Sequence, residues 1–195
     1  MGQSWNGPAV RSVLRILQRP SLLSPSLSVQ DISAINISAL KKRGIKGIVL
    51  DKDNTITAPY SLDVHPQIQA SLLDLQRAFP NRKLAILSNS AGTPDDMNFQ
   101  ESKAIEKSVG ISVIKHLKKK PDGLEETLQF FQLKPTELAV VGDRLLTDVV
   151  FGNLHGMYTI HTQILTSEND NTFARFFRSV ENNVLLPVVK HFVVR

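Results

Sequence analysis

Between residues 45 and 162, five short apolar runs alternate with stretches of helical periodicity, and this alternation constrains the fold more than any other feature. The runs Ile45–Leu50, Lys83–Leu87, Ile111–Lys115, Leu138–Val141 and Met157–Thr162 read as strands. Pro66–Ala78 reads as a helix with Ile68, Leu72 and Leu75 on one face. Asp95–Val109, Pro121–Gln132 and Leu145–Leu154 read as further helices, the second with Pro121 in its first turn. Strand–helix alternation implies crossover connections and an α/β, Rossmann-like, mostly parallel sheet with helices on both faces. In such sheets ligands bind at the carboxyl ends of the strands.

Four polar loops follow those strand ends. The first, Asp51-Lys52-Asp53-Asn54-Thr55, places two carboxylates two residues apart. One can attack phosphorus while the other protonates the leaving oxygen and later activates water. A carboxylate approaching a phosphate dianion is repelled, so a divalent cation is needed between them. A calcium loop does not fit, because its glycine and glutamate positions would hold Ile56 and Leu62. A solvated acidic turn fits the first loop taken alone.

The second loop, Ser88-Asn89-Ser90-Ala91-Gly92, offers small side chains, two polar donors and close backbone approach to a phosphate, though such clusters also make ordinary turns. In the third, Lys118-Lys119-Lys120-Pro121, cations stand at an expected helix start, against the helix dipole. One of these lysines can neutralise a transferring phosphoryl group; the others read as a solvated run. The fourth loop is Gly142-Asp143-Arg144-Leu145-Leu146-Thr147-Asp148. Asp143 is placed to ligate Mg²⁺, a hard cation that takes oxygen donors, with Asp148 in support. An N-capping role is the structural alternative for Asp143.

Taken in order, these loops resemble the four motifs of the haloacid dehalogenase superfamily of phosphatases, over roughly residues 41–165. The resemblance implies that Asp51 is the nucleophile, Asp53 the general acid/base and Lys120 the group that stabilises the phosphoryl. It implies substrate contacts from Ser88, and Thr55, Asn89 and Arg144 are placed with it as substrate-binding candidates. Mg²⁺ would be held by Asp51, the Asp53 carbonyl, Asp143 and Asp148. The wording of the motifs is narrower still. Leu50 to Thr55, Leu87 to Ser90 and Val141 to Asp148 are similar to the phosphatidylglycerophosphate phosphatases of fungal mitochondria and their bacterial and plastid relatives. That resemblance implies an anionic phospholipid substrate, a product on the route to cardiolipin, and a location at the matrix face of the mitochondrial inner membrane.

Only 34 residues separate Asp53 from Ser88, too few for a large cap domain, so an open site is expected. The chain has no cysteine, which excludes a disulfide framework and a thiolate metal site. Net charge is +5, but residues 1–47 hold seven basic groups and one acid, while the remainder holds 16 basic and 17 acidic groups. A basic N-terminal end on a near-neutral body suits an anionic surface. Residues 1–40 are therefore expected as a basic segment for membrane association or targeting. Within it, Val10, Val13, Leu14 and Leu17 lie opposite Arg11, Arg15 and Arg19, and Ser21–Ser28 reads as a linker. Residues 166–195 are expected as an amphipathic helix and apolar tail, with Phe173, Phe176, Phe177 and Val180 beside Arg175 and Arg178. No run approaches the ~18 apolar residues of a spanning helix. Neither a secretory signal nor a myristoylation signal fits the N-terminus.

Two alternatives stand beside the lipid reading. One is a capless phosphatase acting on a phosphorylated protein or nucleic acid, although no aromatic-interleaved basic surface for nucleic acid is evident, and none is expected as a partner. The other is a phospho-acceptor domain like the response-regulator receivers, which lack an acid at the position of Asp53.

Overall fold

In the computed structural model the described residues are 15, 16 and 18–166. They form a six-stranded sheet in the order β1-β6-β5-β2-β3-β4. The strands are β1 (Leu27–Val29), β2 (Gly47–Leu50), β3 (Leu84–Ile86), β4 (Ser112–Val113), β5 (Leu138–Gly142) and β6 (Tyr158–Thr162), and every pairing is parallel. The helices are α1 (Ile37–Lys42), α2 (Gln69–Ala78), α3 (Gln100–Val109), α4 (Leu124–Phe131) and α5 (Val150–His155).

The central strands read as continuous apolar runs because both faces of the sheet are covered. Alternation along β2 sends Ile48 and Leu50 to one face and Val49 to the other. The first face packs on Leu40 of α1, Leu72 and Leu75 of α2, and Ile105 and Val109 of α3. The second packs on Phe131 of α4 and Phe151 of α5. Strand order reverses between β2 and β5: β3 and β4 lie to one side, β6 and β1 to the other. The carboxyl ends of β2 and β5 therefore flank the crevice where a doubly wound sheet takes its ligand.

Several expectations are corrected. Ser21–Ser28 is not a linker. Leu22 and Leu23 sit in a 3₁₀ turn and pack with Ile16 on Leu145, Leu146, Val149 and Val150, and β1 then pairs with β6. Their apolar side chains outweigh the Ser/Pro composition around them. The third helix starts at Leu124, after Gly123 at φ 89°, so Pro121 stands before it and Lys120 does not oppose its dipole. The fourth begins as a π-helical turn, Leu145–Val149, that runs into α5. The expected helix from Asp95 starts at Gln100, behind a 3₁₀ turn in which Asn98 and Phe99 have left-handed backbone. Most of the Arg-flanked N-terminal stripe and all of the C-terminal Phe stripe lie outside the described residues. Among described helices none is long and apolar enough to cross a membrane.

Candidate active site

Four strands deliver the four loops to one edge of the sheet. Asp51 follows β2 directly and Asp143 follows β5, and the two strands are locked together by the Asp51 N–H donating to Val141 O at 2.8 Å. Ser88 follows β3 by two residues. Lys120 arrives on the loop between β4 and α4. Asp51, Asp143 and Asp148 converge, with one carboxylate oxygen of each within 4.8 Å of the others. Asp148 comes from the π-helical turn; such turns recur at functional sites because the wider coil re-aims one side chain.

Lys120 supplies a cation to this cluster. Its side chain is 1% exposed, and its Nζ donates to Asp51 Oδ1 at 2.6 Å and to Asp148 Oδ1 at 2.5 Å. Burial alone would push this amine down, but Asp148 and Asp51 outweigh it and hold the group above the ordinary lysine value. Burial pushes the Asp148 carboxyl up, against the pull of Lys120. Three carboxylates converge in this desolvated place, and the Lys120 ammonium is paired with two of them, Asp51 and Asp148, so acidic groups are in excess. Burying uncompensated charge costs several kcal/mol per ion, about 3–5 kcal/mol when a partner is missing. A hard divalent cation balances that excess, and the donors are all oxygen, so the cluster fits one.

Asp53 stands one turn further along. Its Oδ1 accepts from Lys52 Nζ at 2.6 Å and from the Tyr60 N–H at 3.3 Å. A bridge from Asp53 to Thr57, and another from Thr57 to Val64, fold residues 53–64 into a small flap beside it. The Lys52 side chain is 2% exposed. Its burial was not legible in the sequence, where a lysine between two aspartates looks like a solvated turn. Thr55 is buried and donates its N–H to Lys52 O at 3.3 Å, closing the turn.

The other loops are braced by side chains that act on backbone. Asn89, expected at the substrate, brackets the Lys120 backbone. Its Oδ1 accepts the Lys120 N–H at 2.8 Å and its Nδ2 donates to Lys120 O at 3.4 Å. The Ser88 hydroxyl lies 3.1 Å from Ser90 Oγ and accepts the Ser90 N–H at 3.2 Å. His116 is buried with Nε2 2.8 Å from Ser88 O and Nδ1 2.7 Å from Lys118 O, tying the second loop to the third. Burial pushes its pKa below the ordinary value, against the pull of those two carbonyls. Asp96 accepts N–H bonds from Gly92, Glu101 and Ser102 at 2.8–2.9 Å, pinning the second loop to the start of α3. His161 reaches Asp143 O from β6 at 3.1 Å. Arg144 is partly buried; its N–H donates to Asp148 Oδ2 at 3.1 Å, and its charge draws the Asp148 carboxyl down, against burial. Asp96, His116 and His161 were missed because their roles are set by tertiary position, with no local spacing to signal them.

Residues between β2 and β3 are spent on the flap and α2, and those between β3 and β4 on a loop and α3. Neither insertion contains a cap domain. The fold and this four-loop edge are those of a capless α/β domain of haloacid dehalogenase type. The mitochondrial PGP phosphatase family matches residues 8–165, and the chain belongs to that family. It is 39% identical over 174 residues to "Phosphatidylglycerophosphate phosphatase 1, chloroplastic/mitochondrial" of Arabidopsis thaliana, covering 88% of this chain and 50% of that one. It is 43% identical over 152 residues to the chloroplastic phosphatidylglycerophosphate phosphatase 1 of Chlamydomonas reinhardtii, covering 77% of this chain and 56% of that one. The mitochondrial phosphatidylglycerophosphatase of Saccharomyces cerevisiae is 35% identical over 176 residues, covering 88% and 94%. The chain thus spans about half the length of the plant and algal relatives and nearly all of the yeast one.

Proposed function

We propose that the protein hydrolyses the terminal phosphomonoester of phosphatidylglycerophosphate to phosphatidylglycerol, the activity its relatives are named for. The observation that carries this reading is Lys120 joining Asp51 and Asp148 at the switch point of the sheet, with Asp53 alongside. An Asp51 oxygen attacks phosphorus, and the bond from phosphorus to the glycerol oxygen breaks. Asp53 gives its proton to that oxygen. Asp53, now a carboxylate, takes a proton from water, whose oxygen attacks the aspartyl-phosphate and releases inorganic phosphate and free Asp51. Lys120 holds Asp51 in place and offsets the phosphoryl charge.

Mg²⁺ suits the donor set. Asp51, Asp143 and the Asp53 carbonyl would hold it with Asp148 in support, and it would screen the two anions from each other. The Ser88–Ser90 loop supplies phosphate donors, while Asn89 acts by fixing Lys120. The absence of a cap within residues 54–111 suits a substrate whose acyl chains stay in a bilayer. The same reading places the protein at the matrix face of the mitochondrial inner membrane, as a peripheral protein. The folded region reaches back beyond the expected 41–165 to take in Ile16, Leu22, Leu23 and β1, so residues 1–14 and 167–195 would be the flanking membrane or targeting segments.

The test offers purified full-length protein phosphatidylglycerophosphate in mixed micelles, phosphopeptides and 5′-phosphorylated oligonucleotides, each with Mg²⁺. Phosphate release from the lipid alone is the expected result. Release only from a peptide or oligonucleotide would overturn the substrate assignment.

A further inference from the structure

The large apolar side chains exposed among the described residues are not scattered. They are Tyr60, Leu62, Leu73, Met97, Phe99, Leu117 and Ile164, and all but Leu73 lie on segments that follow the carboxyl ends of strands. Tyr60 and Leu62 stand on the flap after β2, Met97 and Phe99 between β3 and α3, Leu117 between β4 and α4, and Ile164 just after β6. All of these strands are parallel, so the tips share the edge that carries Asp51, Ser88, Lys120 and Asp143. Exposure reaches 62% for Tyr60, 70% for Met97 and 78% for Leu117, and single exposed apolars are ordinary only when they fall at random over a surface.

Two of the tips carry a further cost. Tyr60 and Phe99 are aromatic residues held at φ 63° and 56°, a left-handed backbone that side chains of this size rarely adopt. Lysines surround the β3–β4 side of the rim. Lys115 Nζ lies 4.8 Å from the Phe99 ring centroid, Lys103 Nζ donates to Asn98 O at 3.1 Å, and Lys115, Lys103 and Lys118 are all exposed. Asp95, in the loop before α3, is paired with Lys119 at 2.7 Å.

We propose that this rim is a membrane-docking surface, in which the apolar tips enter the interfacial region of an anionic bilayer and the lysines meet its phosphates, with the catalytic cluster facing the lipid layer. The inference rests on the lipid-phosphomonoester reading above. It favours a bilayer over a protein partner because the tips come from four separate segments and leave the polar cluster open between them. A protein interface of similar strength would present one contiguous apolar core. Aromatic and aliphatic tips beside lysines are the composition that lies in a bilayer interface.

The experiment uses the full chain and three readouts. A Leu62→Ser/Met97→Ser/Leu117→Ser variant changes only exposed side chains. It is expected to keep turnover of a soluble aryl phosphate, and of lipid in detergent micelles, within about twofold of the parent. Its association with vesicles of phosphatidylcholine and phosphatidylglycerol is expected to fall by roughly tenfold or more. Separately, Trp5 is the sole tryptophan of the chain, so a Trp5→Phe/Leu117→Trp variant reports on one tip. Its fluorescence is expected to be quenched by vesicles with brominated acyl chains. Parent-like vesicle binding by the triple variant, with Trp at 117 unquenched, would overturn the docking surface. Loss of self-association in the triple variant with vesicle binding intact would assign the tips to a second copy and also overturn it. Absence of lipid turnover by the parent in micelles is a distinct result, which sinks the substrate reading rather than the surface.

Discussion

Gly142 and Asp148 are matched by space: a Cβ on Gly142 would overlap the carboxylate of Asp148, the group that receives Lys120 and the Arg144 N–H. The glycine that precedes Asp143 is therefore required by a side chain six residues later. This couples the end of β5 to the π-helical turn that delivers Asp148.

A Gly142→Ala substitution must push Asp148 aside. Turnover of an aryl phosphate is expected to fall about 100-fold, the scale on which ångström displacements act in a positioned site. Stability is expected to fall by about 1–3 kcal/mol from overpacking. Steady-state kinetics and urea unfolding measure the two effects. Parent-like kinetics would show that the Asp148 carboxylate is free to move without consequence.

Lys120→Met removes the cation paired with Asp51 and Asp148, two of three converging carboxylates. Without divalent metal, the variant is expected to lose about 3–5 kcal/mol, the usual cost of orphaning buried charge. Added Mg²⁺ is expected to restore more stability to the variant than to the parent, because binding now relieves a larger excess of charge. Unfolding midpoints with and without Mg²⁺ decide it. Equal Mg²⁺ effects in the two proteins would separate the carboxylates from metal binding.

Asn89→Ala leaves the Lys120 backbone without its two side-chain bonds. The expected signature is a drop in kcat of roughly 10- to 100-fold with little change in KM, because the lysine is misplaced while the substrate contacts remain. A change confined to KM would return Asn89 to the substrate.

Three partly or fully buried histidines give the pH dependence. Burial holds His116, His155 and His161 below the ordinary histidine value, against the carbonyls each one faces. The unfolded chain then binds more protons, so stability rises with pH across this range. The contribution is fully present above about pH 6.5, the unfolded value, and is lost as pH falls from there through the lower folded values. Denaturant midpoints between pH 7 and 5 are expected to decline, and His116→Gln is expected to flatten part of that slope. An undiminished slope would remove His116 from the account.

Most of the sheet was legible because strands covered on both faces must be continuously apolar, as Ile48-Val49-Leu50 and Leu138-Ala139-Val140-Val141 are. The edge was not. β1 is three residues long and sits among serines and a proline, so only its pairing with β6 reveals it. Pro121 misled because proline suits a first helical turn, whereas the chain uses Gly123 at positive φ to start α4. In the site, Asp51, Asp143, Asp148 and Lys120 were legible as a set because the strand ends must converge. Lys52, Asp96 and His116 were not, because each takes its meaning from a neighbour that only the fold supplies.

The central claim is that Asp51 forms the bond to phosphorus while Asp53 moves the proton. The most direct measurement is acid-quenched single turnover with a phosphate-labelled substrate, followed by mapping of the labelled peptide. Label is expected on Asp51 in the parent. In Asp53→Asn, turnover is expected to stall, and in Asp51→Asn no phosphoenzyme should form. Normal turnover by Asp51→Asn, or label mapping to any other residue, would contradict the account.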